Sequence, residues 1–124
     1  MRIAILSDVH ANLPALTACL IAAAEQNVNR IVLLGDLVGY GAEPNAVVDI
    51  ARDLIGQGAL AIKGNHDAAI SDDRTGLNAD ADDVIVWTRG RLTKDQTDFL
   101  AGLPMTERIG DVLFVHSEAS RPAR

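Results

Sequence analysis

The chain has 124 residues, 48% of them hydrophobic, and a formal net charge of −6 at pH 7. This length fits one domain, and so large a hydrophobic share excludes an acidic disordered chain. The acidic balance argues against a broad nucleic-acid or membrane surface, which would need clustered Lys and Arg, so we expect nucleic acid only as a substrate. It still allows an anionic ligand held by metal, because bound cations reverse the local field.

The first residues of the chain and its single cysteine indicate the cellular compartment in which the protein is expected. The first apolar segment ends at Leu6, too early for a signal-peptide core or a membrane span. Cys19 lies in an Ala- and Leu-rich helical pattern, which predicts a buried, inert thiol. One cysteine cannot form a disulfide within the chain, and this suits a reducing compartment. We therefore expect a cytoplasmic protein.

Three apolar runs alternate with two helical patterns in the first half of the chain. The runs extend over Ile3 to Leu6, Ile31 to Leu34 and Ala59 to Ile62. Each is typical of a strand that is covered on both faces. Asn12 and Pro14 open the first helical pattern, and Pro44 opens the second. Two successive strand-helix-strand units predict right-handed crossovers and a parallel sheet.

The second half predicts two further helices and a hairpin. An Asp-rich stretch precedes a helix from about Val84 to Leu92. Thr93 and Gln96 have the spacing of a capping box and open a shorter helix. Residues 104–117 predict two strands around Gly110 and Asp111, which is a hairpin signal.

Polar groups follow each predicted strand of the sheet and end the last strand of the chain. They are Ser7-Asp8-Val9-His10, Gly35-Asp36, Gly64-Asn65-His66-Asp67 and His116. Because the carboxyl ends of parallel strands share one edge, where ligands bind, we expect these groups to converge there. Carboxylates, imidazoles and an amide without a thiolate favour Mn, Fe, Co, Ni or Zn over a structural zinc.

This donor set is typical of two divalent cations, which lie roughly 3.5 to 4 Å apart in such sites. One cation would be bound by Asp8 and His10, and the other by Asn65 and His116. Asp36 has two carboxylate oxygens and would bridge both. The predicted metal ligands are therefore Asp8, His10, Asp36, Asn65 and His116.

Three neighbouring residues receive other expectations. His66 is expected on a different side of the turn from the ligands, as a proton donor or phosphate contact. Asp67 is expected to tie down its own turn. Tyr40, between two glycines, either lines the pocket or covers the loop.

The motifs resemble those of the calcineurin-like metallophosphoesterases, whose order of DxH, GD, GNH[DE] and a later strand-ending His is repeated here. The stretches SDVHANLPAL and LGDLVGYGAEPN are most similar to small prokaryotic phosphodiesterases of that family. The resemblance implies an α/β sandwich in which helices flank mixed, largely parallel sheet. It also implies that the five predicted ligands hold two divalent cations. A metal-activated water would then hydrolyse a small phosphoester, with His66 assisting at the phosphate or the leaving group.

The sequence also departs from the family pattern. The family completes its site with a later GHTH-like element, whereas this sequence has only three histidines. Residues 1–124 are thus expected to form one partial domain without the second half of the sandwich. The chain could be a shortened gene product, a fragment, or a subunit completed by a second copy or another chain. The alternative function is a non-catalytic metal-binding or interaction module derived from the enzyme.

Overall fold

A computed structural model describes residues 1–72 and 78–118. Its elements in chain order are β1 (Ile3–Leu6), α1 (Leu13–Glu25), β2 (Arg30–Leu33), α2 (Pro44–Gly56), β3 (Leu60–Ala61), α3 (Asn65–Ser71), α4 (Ala79–Arg91), α5 (Lys94–Ala101), β4 (Thr106–Ile109) and β5 (Val112–Val115). Strands β1, β2 and β3 form a parallel sheet in that order, and β4 pairs with β5 in an antiparallel hairpin. The predicted α/β class is confirmed.

Side chains in the sequence fix where the helices begin. Asn12 caps α1 by accepting a hydrogen bond from the Ala15 amide at 3.1 Å. Thr93 and Gln96 form the predicted capping box of α5. Helix α4 begins earlier than the predicted start near Val84, because Asn78 caps it and two aspartates in its first turn complement the helix dipole.

Helix α3 is where the structure departs most from the sequence prediction. A turn was expected after β3, but Asn65 to Ser71 form a seven-residue helix with Gly64 at its N-cap. A seven-residue segment is too short to show a helical period of hydrophobic residues, so the helix could not be predicted from the sequence. As a result, three consecutive polar residues of the motif lie in one helical turn.

The two faces of the parallel sheet differ in how they are covered. Strand register places Leu6, Leu33 and Ala61 on the face that packs on the helices in the main core. On the other face Val32 is fully buried, but its neighbour in register, Ile5, is 53% exposed. The covering of this second face is therefore uneven, and β1 is its most exposed strand.

The prediction of a buried thiol at Cys19 is wrong, since Cys19 is exposed. Leu16 and Ala23 form the buried face of α1, and Cys19 lies at the flank of that stripe. There it lines a groove beside the exposed strand β1 rather than the helical core. None of the helices in the described residues has the length and apolar character needed to cross a bilayer.

Candidate metal centre

The loops after β1 and β2 run side by side at the carboxyl edge of the sheet. The amide of Asp8 donates to the carbonyl of Gly35 at 3.0 Å, and the amide of His10 donates to that of Asp36 at 2.9 Å. These bonds extend the pairing of the two strands beyond their regular ends. The side chains of Asp8 and His10 are thereby held next to that of Asp36.

Two glycines allow the chain to pack closely around Asp36. A Cβ atom on Gly64 would lie 2.1 Å from Oδ1 of Asp36 and 2.2 Å from its amide nitrogen. A Cβ atom on Gly35 would lie 2.7 Å from Nδ1 of His116. Only glycine permits such approaches without displacing a neighbour. Steric crowding therefore explains why glycine precedes Asp36 and Asn65 in their motifs.

Backbone strain is concentrated in the same two loops. Six non-glycine residues of the described chain have left-handed φ, and five of them lie here: Asp8, His10, Ala11, Asp36 and Tyr40. Such residues cost about 1 to 3 kcal/mol each and persist where the surrounding structure enforces them. Strain of this kind clusters at functional sites. It therefore supports the prediction that this edge of the sheet binds a ligand.

Asp36 lies at the centre of the cluster and is 2% exposed. Its Oδ2 atom lies 2.9 Å from Nδ1 of His66, 3.3 Å from Nε2 of His116 and 3.7 Å from Nε2 of His10. Its Oδ1 atom accepts a hydrogen bond from the His66 amide at 3.0 Å. One buried carboxylate thus lies close to all three histidines of the sequence.

Two of the histidines are oriented by backbone carbonyls. Nδ1 of His10 lies 3.1 Å from the carbonyl of Val38, and Nδ1 of His116 lies 2.8 Å from that of Leu34. A carbonyl only accepts, so each Nδ1 carries the proton and each Nε2 presents a lone pair toward Asp36 when the ring is neutral. Metal-binding histidines have this arrangement, in which the second ring nitrogen donates to a backbone carbonyl.

Asn65 adds an amide to the cluster. Its Oδ1 lies 3.1 Å from Nε2 of His116 and 3.2 and 3.3 Å from the two carboxylate oxygens of Asp36. Oxygens this close repel one another unless a cation lies among them. Without a cation, rotating the amide so that its nitrogen faces Asp36 replaces this repulsion with hydrogen bonds to both carboxylate oxygens.

Comparison with known proteins identifies the family to which the chain belongs. The family model described as calcineurin-like phosphoesterase matches residues 1–123. The chain belongs to that family. The crystal structure of a metallophosphoesterase from Sphaerobacter thermophilus is 37% identical to the chain, with a TM-score of 0.83, and the alignment covers 100% of this chain and 50% of that one. The resemblance stated from the motifs is confirmed.

Two further relatives define how far the likeness extends. An uncharacterized protein of Methanocaldococcus jannaschii is 36% identical over 126 residues, which cover 97% of this chain and 51% of that protein. The structure of a hypothetical protein from Pyrococcus horikoshii is 22% identical, with a TM-score of 0.86, and shares the fold over 97% of this chain and 56% of its own. The chain thus spans about half the length of these relatives.

The donors present fit the divalent metals that this family typically binds. Two groups each bring their ligand atoms within 4.8 Å of one another: Asp8, Asp36 and His116, and His10, Asp36 and His66. Asp36 belongs to both groups, as a bridging ligand would. The grouping differs from the predicted pairing of Asp8 with His10, although Nε2 of His10 also lies 3.5 Å from Oδ1 of Asp8.

His66 lies within this cluster, whereas we expected it on a different side of the turn from the ligands. Helix formation from Asn65 onward turns its ring toward Asp36. Its Nε2 atom is buried and has no hydrogen-bond partner in the described residues. A buried polar atom without a partner is costly, so this nitrogen marks a position where a bound group would be stabilised.

The electrostatics of the cluster follow from these contacts. Burial acts to raise the pKa of Asp36, but hydrogen bonds from His116 and His66 outweigh it and hold that pKa well below its usual value. The hydrogen bond to Asp36 raises the pKa of His116 to about 9 and also raises the pKa of His66. Without metal, the cluster therefore pairs the Asp36 carboxylate with the His116 imidazolium, whose proton a cation would replace.

Asp67 is fully buried beside this cluster and has different partners. Its Oδ2 accepts from the Gly64 amide at 2.9 Å, which ties down its own turn as predicted. Its Oδ1 accepts from the amides of Leu37 at 2.9 Å and Val38 at 3.2 Å, which the sequence did not reveal. Burial raises the pKa of Asp67 to about 7, against the effect of these donors. Asp67 therefore joins α3 to the loop after β2.

Proposed function

We propose that this chain forms the metal-binding part of a phosphoesterase that hydrolyses a small phosphoester, through two divalent cations. The observation that carries the proposal is the position of Asp36, buried within reach of three imidazoles and one side-chain amide. Family membership supports the same chemistry. Because the chain spans about half of its relatives, the activity is proposed for this chain alone or together with whatever completes it.

The proposed ligands to the two cations are Asp8, His10, Asp36, Asn65 and His116. Bound divalent cations would lower the pKa of a water molecule and neutralise the non-bridging phosphate oxygens. The carbonyls of Val38 and Leu34 keep the rings of His10 and His116 in the orientation that ligation needs. Asp8 and Asp36 lie in two loops that backbone hydrogen bonds hold together, and both residues have left-handed φ there.

His66 has the proposed catalytic role. Contact with Asp36 fixes its Nδ1 and raises its pKa, which favours the protonated ring. The remaining nitrogen, Nε2, can then donate to a phosphate oxygen or to the leaving oxygen. Protein phosphatases of this family carry a GDxVDRG element, whose arginine holds phosphate. The loop from Gly35 to Gly41 has neither that arginine nor the second aspartate, so the proposed substrate is a small phosphodiester or phosphomonoester rather than a phosphoprotein.

The test separates ligation from catalysis with two variants. The purified chain is loaded with Mn²⁺, its metal content is measured by elemental analysis, and hydrolysis of bis(p-nitrophenyl) phosphate is followed. We expect His116→Gln to lower the metal content, and His66→Gln to keep the metal while losing about 10²- to 10⁴-fold in rate.

The exposed substitution Asp98→Asn is the matched control and should change neither quantity. Equal metal loss in His66→Gln and His116→Gln would make His66 a ligand. Metal absent under all loading conditions would refute the proposed function.

A second candidate is an interaction module, and the exposure of β1 favours it. Within residues 1–72 and 78–118, β1 pairs only with β2, and Ile5 is half exposed on it. Unpaired strand edges recruit other chains, including copies of themselves. The proposed partner is a second copy of this chain. Light scattering should then show dimers that Ile5→Lys disperses, whereas a monomer at high concentration that binds no hydrophobic dye would exclude this candidate.

A further inference from the structure

Tyr40 has a backbone conformation that needs an explanation. Its φ is +68°, and the amide of Gly41 donates to the carbonyl of Gly39 across it at 2.8 Å. This is a γ-turn of the rare, strained kind. A glycine at the same position would adopt this φ without steric cost, so the strain arises because Tyr40 carries a side chain.

The loop around Tyr40 is held firmly against the metal centre. A Cβ atom on Gly41 would lie 2.0 Å from the carbonyl oxygen of His10, and one on Gly39 would lie 3.0 Å from the ring of His66. The amide of Glu43 also donates to the carbonyl of Ala11 at 3.1 Å. The strained turn is therefore fixed from two sides, and the direction of its side chain is fixed with it.

The ring of Tyr40 lies beside the rings of His10 and His66. Its centroid is 5.0 Å from that of His10 and 5.1 Å from that of His66. Yet Tyr40 is 53% exposed, so the ring is not filling the core. An aromatic surface is thus presented to solvent at the boundary of the candidate catalytic group.

This aromatic surface opens onto a cleft of about 620 Å³, large enough for a small organic phosphoester. The cleft continues from Asp8 and His10 to apolar side chains at the start of α1, Leu13 and Pro14. A group bound there would have the proposed metal ligands Asp8 and His10 at one end and an aromatic and aliphatic wall beside it. That combination suits a flat aromatic group attached to a phosphate.

We propose that Tyr40 determines specificity by stacking on a planar aromatic group, such as a nucleobase, carried by the alcohol part of the phosphoester. This inference rests on the proposed function and adds the class of substrate to it. Stacking of a base on an aromatic side chain is worth about 1 to 3 kcal/mol, which corresponds to at least about fivefold in affinity.

The experiment compares two probes that differ only in the base, AMP and ribose 5-phosphate. Their binding to the chain in the presence of Mn²⁺ is measured by calorimetry, and released phosphate is assayed in the same samples. We expect AMP to bind about tenfold tighter than ribose 5-phosphate. Tyr40→Phe should keep this ratio because the ring remains, and Tyr40→Leu should bring it close to one.

The outcomes distinguish this inference from the function it rests on. A preference for AMP without phosphate release would support the stacking site and count against hydrolysis. Equal affinity for both probes in the unaltered chain, or binding of neither, would overturn the stacking role whatever the variants do. An equal loss for both probes in Tyr40→Leu would show that Tyr40 only supports the loop, and would also overturn it.

Discussion

The surroundings of Asp36 and Asp67 differ in chemistry although both side chains are almost completely buried. Side-chain imidazoles as well as the His66 amide contact Asp36, whereas backbone amides of two loops contact Asp67. Imidazole protons can be exchanged for a cation, but backbone amide protons cannot. Burial alone therefore does not tell a ligand from a structural carboxylate. The chemical nature of the partners is the basis on which we predict that Asp36 is the ligand.

Gly64 is where the two surroundings meet, so its substitution should have the largest effect. Its amide donates to Asp67, and an added Cβ would lie 2.1 Å from Oδ1 of Asp36. We expect Gly64→Ala to lower the free energy of unfolding by about 3 kcal/mol and to abolish metal binding, because overpacking displaces both aspartates.

Gly90 provides the matched control for this substitution. It lies within α4, and a Cβ there would meet no atom within 4 Å. Gly90→Ala should stabilise the chain by about 0.5 to 1 kcal/mol. Urea unfolding of both variants measures the difference. A Gly64→Ala variant as stable as Gly90→Ala would show that the approach to Asp36 is looser than the structure describes.

The next prediction compares the two carboxylates directly. Asp36→Asn should lower phosphodiester hydrolysis by more than about 100-fold, since losing even a residue that only supports a ligand can cost 10- to 100-fold. Asp67→Asn should keep its metal and most of its rate once folded. Elemental analysis and initial rates are measured on samples with the same circular dichroism spectrum. Equal rate losses would remove the distinction between the two aspartates.

Much of this site could be predicted from the sequence, because strand ends and helix caps are local features. The pattern located β1 correctly and identified Asn12 and Thr93 as caps. The groups predicted as ligands do converge at one sheet edge. Whether they bind metal is still a prediction.

The parts that the sequence did not reveal depend on contacts between distant segments. Asp67 bonds across to Leu37 and Val38, and no local pattern encodes that. Helix α3 is too short to have a recognisable period. Exposure of Cys19 depends on what lies beside β1, whereas helical spacing reports only which residues share a face. The position of Tyr40 between two glycines is a local signal that the sequence did offer for this loop, whereas its left-handed φ is visible only in the structure.

A smaller effect is expected from Asp67 on stability. Both oxygens of its side chain accept hydrogen bonds, so an amide nitrogen in place of one oxygen would face a backbone donor. Asp67→Asn should therefore destabilise the metal-free chain by about 1 to 2 kcal/mol. Chemical denaturation without metal measures this. An unchanged midpoint would mean that these bonds contribute nothing to the junction of α3 with the β2 loop.

The last prediction concerns the pH dependence of metal affinity. In the metal-free chain the pKa of His116 is raised to about 9, so the ring is protonated at neutral pH. That pairing stabilises the metal-free fold fully below about pH 6.5, the ordinary pKa of histidine, and its contribution is lost as pH rises through 9. A cation needs the neutral ring, so each ion that binds His116 must release its proton. Affinity for Mn²⁺ should thus rise by up to about tenfold per pH unit from pH 7 toward 9.

Calorimetry in two buffers of different ionisation enthalpy counts the protons released. His116→Gln should release fewer of them, and an affinity independent of pH in the unaltered chain would show that the cation does not replace the proton shared with Asp36.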